Sequence, residues 1–135
     1  MRNNQPITQQ EKEFSADTRL VSMTDLQGDI TFVNLDFLHI SGFTEQELLG
    51  SHHNIVRHPD MPPAAFADLW RTIKAGKTWR GLVKNRCKNG DHYWVDAYVM
   101  PIVQEGETVG YQSVRSKPSR AQVAEAEQLY ARMRK

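Results

Sequence analysis

Two stretches near the start of the chain alternate apolar and polar residues in the manner of β-strands. They span residues 20–24 and 29–34, and Asp25-Leu26-Gln27-Gly28 lies between them. A glycine-containing segment of this kind is typical of a turn, so the pattern predicts a β-hairpin. Residues 1–18 are polar and rich in Gln and Glu, which predicts an N-terminal cap or arm.

Two short helices are predicted after the hairpin, because each segment carries its own start or stop signal. Residues 35–41 are closed by Gly42. The second helix begins at Thr44, which forms a capping box with Glu47, and it ends at Gly50.

A longer helix is predicted after Arg57-His58-Pro59-Asp60, ending at Gly76. Asp60 can serve as its N-cap or first-turn carboxylate, and two prolines at 62 and 63 suit a first turn. Apolar residues then recur at helical spacing, so the helix must pack one face against the core; these are Phe66, Leu69, Trp70 and Ile73.

The second half of the chain predicts three strands, over residues 80–87, 92–103 and 107–116, joined by turns containing Asn89-Gly90 and Glu105-Gly106. A last helix is predicted within 118–135. It opens with a weak capping box between Ser119 and Gln122 and carries apolar residues at heptad spacing, namely Val123, Ala126, Tyr130 and Met133. Helices grouped between two sets of strands favour an α+β domain with one antiparallel sheet and the helices on one face.

Composition agrees with one globular domain. The chain has 135 residues, of which 39% are hydrophobic and 24% charged. No stretch approaches the roughly 20 apolar residues of a membrane-spanning helix, and the N-terminus does not resemble a signal peptide. The lone Cys87 cannot form an internal disulfide. We therefore expect a soluble protein in the reducing cytoplasm.

Charge is unevenly distributed along the chain. Residues 1–50 carry three basic and eight acidic side chains, whereas residues 51–92 carry eight basic and three acidic ones. The basic segment is either a set of solvated faces or the binding site of a phosphate-bearing ligand. The acidic first third argues against a dedicated nucleic-acid binder, so we expect no nucleic-acid partner.

Several motifs together resemble the PAS family of sensor domains over about residues 18–116. They are Asp-Leu-Gln-Gly at 25–28, Phe-Val-Asn at 32–34, the stretches 41–50 and 88–95, and Met-Pro-Ile at 100–102. Within that family, segment 53–70 resembles the FAD-binding PAS domains of bacterial aerotaxis receptors. The resemblance implies a PAS domain at 19–117, with a five-stranded sheet of strand order 2-1-5-4-3 and a ligand cavity between the sheet and the short helices.

The segment before the longer helix carries the first candidate binding residues. Arg57, His58 and Asp60 stand at the entry to a helix N-terminus, where free N–H groups favour an anion such as a pyrophosphate. Arg57 can add a charge-assisted contact. Asp60 would repel a phosphate, so we assign it to capping, to orienting Arg57 or His58, or to a ribose hydroxyl. His53 belongs to the candidate site through the resemblance.

Asn85 is a candidate because strand alternation turns it towards the inside of the sheet. Two registers compete for the following hairpin. A two-residue Asn89-Gly90 loop would turn His92, Trp94 and Asp96 inward. A three-residue loop over 88–90 instead turns the alternate set inward, namely Tyr93, Val95, Ala97 and Val99. We choose the second, since it avoids burying an unpaired Asp96. An inward amide needs a partner, either a flavin ring edge or a buried water or backbone group.

Trp79 and Asn34 each allow two interpretations. Trp79 either stacks on the ligand or belongs to ordinary packing. Asn34 ends the second predicted strand and either hydrogen-bonds the ligand or caps the next helix.

Other chemistries are less well supported. His52, His53 and His58 lack regular ligand spacing, so we expect no metal site, although a haem-binding or cofactor-free PAS module is the alternative to a flavoprotein. Flavin-binding light sensors of this superfamily carry a reactive Cys in the segment that here comprises residues 52–56, and none is present. No nucleophile elbow, Walker loop or dinucleotide fingerprint is present, and we expect a non-enzyme.

The resemblance implies a cytoplasmic FAD-binding redox sensor for aerotaxis, whose output passes to a HAMP or signalling domain of the same receptor or its homologue. A PAS–PAS dimer is a further expected association. We expect no direct insertion into the membrane, although the chain can be the cytoplasmic domain of a membrane-anchored receptor.

Overall fold

The computed structural model describes residues 4–134, and its strands form one antiparallel sheet in the order β2-β1-β5-β4-β3. This order confirms the prediction. The strands are β1 (Leu20–Thr24), β2 (Ile30–Val33), β3 (Trp79–Arg86), β4 (His92–Gln104) and β5 (Glu107–Ser116). The ends of the predicted arm and of the predicted terminal helix, residues 1–3 and 135, lie outside the described residues.

The helices between β2 and β3 pack on one face of this sheet. They are α1 (Leu35–Ser41), α2 (Glu45–Leu48) and α3 (Pro63–Lys74), with a 3₁₀ turn at His53–Val56. Thr44 and Glu47 form the predicted capping box of α2. The predicted N-cap role of Asp60 is wrong, because α3 begins one residue after Pro62 and has no side-chain cap.

The hairpin between β3 and β4 has the three-residue loop that we chose. Asn85 is the partner of Tyr93, and Gly90 has a φ of 101°, which suits glycine at the end of such a loop. Tyr93 and Val95 are therefore fully buried on the inner face. Asp96 is buried in this register as well, but on the outer face, where its carboxylate is paired with Arg80 at 2.9 Å.

The outer face of β3 and β4 is covered by the last helix, α4 (Arg120–Met133), whose predicted capping box is present. The Tyr130 ring stacks on Trp94 with 6.3 Å between centroids, and its hydroxyl donates to the Leu82 carbonyl at 2.6 Å. Val123 and Ala126 are buried as well, whereas Met133 is 40% exposed.

The N-terminal arm runs along the same outer face. Lys12 N–H donates to the His92 carbonyl, and His92 N–H donates to the Gln10 carbonyl, so the arm pairs with the first residue of β4. The buried Arg86 guanidinium donates to the carbonyls of Gln5 and Pro6 at 2.8 Å each. The arm is thus joined to the sheet by both backbone and side-chain hydrogen bonds.

Within residues 4–134, no helix combines the length and the apolar character needed to cross a bilayer.

Candidate functional site

A cleft lies between the inner face of the sheet and α3 and is partly open to solvent; the empty space in it is about 660 Å³ when the solvent at its mouth is included. Four strands contribute mostly alternate residues to it, in pairs such as Ser22 and Thr24 on β1 or Ala97 and Val99 on β4. This spacing follows from the two-residue period of a strand, which brings every second side chain to the same face.

Most of the wall is apolar or aromatic. The α3 stripe predicted from the sequence supplies much of it, through Phe66, Leu69, Trp70 and Ile73. The Trp70 ring lies edge-on to Tyr111, with 5.6 Å between centroids, and 5.4 Å from the His53 ring. Phe66 and Trp70 therefore line the cleft in addition to packing the core. An apolar hollow with a few polar groups is the usual form of a small-molecule site.

Arg57 reaches the cleft because its backbone forms an isolated antiparallel bridge with Asn85 of β3. Its guanidinium carbon lies 4.0 Å from the centroid of the Phe66 ring, a cation–π contact. Burial lowers the pKa of Arg57, but an arginine keeps its charge in proteins.

His53 faces the cleft from the 3₁₀ turn, and its Nε2 is buried without a partner among the described residues. Burial, followed by the fields of His52, Arg115 and Arg57, lowers the pKa of His53 to about 3. The imidazole is therefore neutral at physiological pH. A neutral ring can donate or accept one hydrogen bond at the free nitrogen.

Asn85 lines the cleft from β3 and is only 4% exposed. Its cross-strand neighbour Tyr93 is fully buried, and the Tyr93 hydroxyl has no described partner at good hydrogen-bonding geometry. Burial raises the pKa of Tyr93, so the phenol stays protonated. Asn85 is thus placed inward, as its position on the strand predicts.

Arg115 is a lining residue that the sequence analysis did not single out. It projects from β5, and one of its terminal nitrogens, Nη2, donates to Ser22 Oγ at 3.1 Å. The other, Nη1, is buried without a described partner. Applying strand alternation to β5 would have found it, because Tyr111, Ser113 and Arg115 share one face.

His58 and Asp60 do not line the cleft, contrary to the prediction that they act beside Arg57. His58 Nδ1 accepts the Asp60 N–H at 3.0 Å, and the Asp60 carboxylate pairs with Lys84 Nζ at 2.9 Å. Lys84 belongs to the outer face of β3, opposite the cleft. Neighbouring residues in extended backbone point to opposite sides, which separates His58 from Arg57.

Trp79 and Asn34 also lie outside the cleft lining. The Trp79 indole N–H donates to Asp68 of α3 at 2.9 Å, and its ring covers Gly81, so it has a packing role. Asn34 Oδ1 accepts the N–H groups of Phe37 and Val21, and its amide donates to the Arg19 carbonyl. Asn34 is therefore the N-cap of α1, the second of its two interpretations.

Two features of the cleft limit its chemistry. None of the described residues that line it is an aspartate or glutamate. Within residues 4–134, no three His, Cys, Asp or Glu side chains are grouped closely enough to hold a metal ion.

A family profile described as PAS fold matches residues 30–115. The aerotaxis receptor of Escherichia coli is 54% identical over 124 residues, which are 92% of this chain and 24% of the receptor. The nitrogen fixation regulatory protein of Klebsiella pneumoniae is 27% identical over 67% of the chain and 19% of that protein. The chain thus spans about a quarter or less of these curated relatives.

Solved structures share the fold. The light state of the blue-light photoreceptor Aureochrome1 LOV has a TM-score of 0.70 at 21% identity, covering 84% of this chain and 88% of that one. A structure titled for a flavin analogue and the light-oxygen-voltage domain mechanism has a TM-score of 0.72 at 22% identity, with coverages of 87% and 89%.

Proposed function

This chain belongs to the PAS family, and from that premise we propose that it is an FAD-binding redox sensor domain of an aerotaxis-type signalling protein. One observation carries the proposal: an apolar cleft beneath the sheet presents Asn85, His53, Arg57 and Arg115 to its interior and no carboxylate from the described residues. Such a site suits a flat aromatic group that carries hydrogen-bond acceptors or negative charge.

The residues present fit a flavin nucleotide. Trp70 and Phe66 offer aromatic surface, and the Asn85 amide offers both a donor and an acceptor to a ring edge. His53 Nε2 and Arg115 Nη1 are buried polar atoms without a partner in the part of the chain that the structure describes, and a ligand would satisfy them. Arg57, half-buried, can neutralise a phosphate.

A bound flavin would supply reversible electron transfer, and the chain would convert it into a change of shape. Asn85 and Arg57 meet at the edge of β3, whose outer face holds the arm through Arg86 and α4 through the Leu82 carbonyl. A shift in the population of cleft conformations would therefore reach both terminal segments through one strand.

The remaining parts of the proposal follow the E. coli relative, a receptor about four times longer than the matching segment. We propose that the domain is cytoplasmic, that it senses rather than catalyses, and that it acts on a HAMP or signalling domain of the same receptor or its homologue. A PAS–PAS dimer is a second proposed association.

An absorption spectrum of the purified protein tests the proposal. We expect the two flavin bands in the blue and near-ultraviolet, and release of FAD on denaturation. A Soret band would instead establish the haem alternative. A preparation that stays colourless after refolding with excess FAD would overturn the proposal and favour a cofactor-free interaction module.

A further inference from the structure

Arg115 is a half-buried cation of the cleft, and it lacks an anionic partner among the described residues. It donates to the neutral Ser22 hydroxyl through Nη2, its guanidinium carbon lies 5.1 Å from the centroid of the Phe37 ring, and Nη1 has no described partner. Among residues 4–134, none of the ion pairs includes Arg115. Buried polar atoms of an arginine are normally hydrogen-bonded or paired with an anion, so the buried Nη1 atom leaves the hydrogen bonding of Arg115 incomplete.

The surroundings of Arg115 do not compensate its charge. The titratable groups near it are His53, neutral because burial lowers its pKa to about 3, Tyr93, whose pKa is raised by burial, and the second cation Arg57. The described lining residues include no carboxylate. The cleft interior is therefore positive, and a ligand would have to bring the negative charge.

We propose that Arg115 makes this cleft bind the reduced, more negative form of its cofactor more tightly than the oxidised form, and so sets the reduction potential upward. The inference rests on the proposed function. Reduction would transfer electrons from a low-potential reductant to the ring, and two electrons with one proton from solvent, or one electron without a proton, would each add one negative charge. A cation that is partly shielded from water by the cleft wall interacts more strongly with that charge than it would in bulk water.

The test separates the effect of the charge of residue 115 from the effect of its hydrogen bonds by comparing two variants. Arg115→Gln keeps hydrogen-bond donors but removes the charge, whereas Arg115→Lys keeps the charge. Reduction potentials are measured with dithionite as reductant. In the Gln variant we expect the ratio of affinities for reduced and oxidised cofactor to fall at least about tenfold, which lowers the reduction potential by about 30 mV for a two-electron couple. The Lys variant should change far less. Arg71→Gln on the exposed surface of α3 is the matched control and should leave the potential unchanged.

A second pair of variants serves if Arg115→Gln does not fold. Ser22→Asp would place a carboxylate beside Nη2 and neutralise the cation without removing it, and Ser22→Asn is its uncharged counterpart. We expect Asp, but not Asn, to lower the potential. If Arg115→Gln or Ser22→Asp binds FAD and has the same reduction potential as the parent protein, this inference alone is overturned. If the parent protein does not bind FAD, the proposed function is overturned.

Discussion

Arg57 pairs with Asn85 through an isolated antiparallel bridge on the free edge of β3. This contact brings the two residues to the same cleft although 28 positions separate them in the chain. It also fixes the direction of the loop that follows, so that His58 and Asp60 turn to the outer side. The loop therefore connects the cleft with the layer that contains the arm and α4.

Replacing Arg57 by Ala should weaken FAD retention and leave the fold intact. The variant loses a charge-assisted contact worth about 1.5–3 kcal/mol, or roughly ten- to a hundredfold in affinity. Retention is measured as the FAD-to-protein ratio after gel filtration, with circular dichroism as the check on folding. Arg71→Ala, an exposed arginine on α3, should retain FAD normally. Equal retention by both variants would remove Arg57 from the site.

Gly28 should tolerate alanine poorly, because a Cβ there would lie 2.8 Å from His52 Nε2 and 3.2 Å from Trp70. Its φ of +90° adds backbone strain. Gly50→Ala is the matched control, since Gly50 has a φ of +84° but no described atom within 4 Å of the added Cβ. We expect the control to lose about 1–2 kcal/mol of unfolding free energy from the backbone term.

Gly28→Ala should lose more than that, and FAD retention should fall with it, because the clash pushes on two residues beside or within the cleft wall. Urea denaturation of both variants measures the difference. Equal losses would show that the crowding around Gly28 has no energetic consequence.

Stability should decrease on acidification below about pH 6.5, the ordinary histidine pKa. Burial lowers the pKa of His53 to about 3 and that of His58 to about 4. The unfolded chain therefore binds more protons between pH 6.5 and 4, and each histidine contributes a slope of about 1.4 kcal/mol per pH unit. The stabilising contribution is complete above pH 6.5 and is lost as the pH falls.

Urea midpoints between pH 7.5 and pH 5 would measure this slope. His58→Gln should reduce the slope of the unfolding free energy against pH by the contribution of close to one proton. His39→Gln, at an exposed position near the end of α1, should leave the slope unchanged. An unchanged slope in His58→Gln would show that His58 is accessible to protons in the folded state.

Asn4 should hold the arm against the loop that presents Arg57. Its buried amide donates to the Asn54 carbonyl at 2.9 Å and to the Arg57 carbonyl at 2.7 Å. We expect Asn4→Ala to cost about 1–2 kcal/mol of unfolding free energy and to speed proteolysis of the arm. Gln5→Ala, at an exposed neighbouring position, is the control. Proteolysis at the same rate in both would mean that Arg86 and the backbone bonds alone secure the arm.

Local signals in the sequence predicted the five strands and the four α-helices, but not the 3₁₀ turn at His53–Val56. The capping boxes of α2 and α4, the glycines at 42 and 90 and the alternation in β3 each depend on residues a few positions apart, so they can be recognised without the tertiary structure. Alternation also placed Asn85 on the inner face. The strand order came from the family resemblance rather than from these signals.

The composition of the site was decided by contacts between distant parts of the chain. Arg57 and His58 are adjacent, yet the bridge to β3 sends one to the cleft and the other away from it. Arg115 meets Ser22 across 93 positions, and Asn4 meets Arg57 across 53. Periodicity tells which face of its own strand or helix a side chain occupies, but which other residues share that face depends on how the elements pair, and only the folded chain settles that pairing.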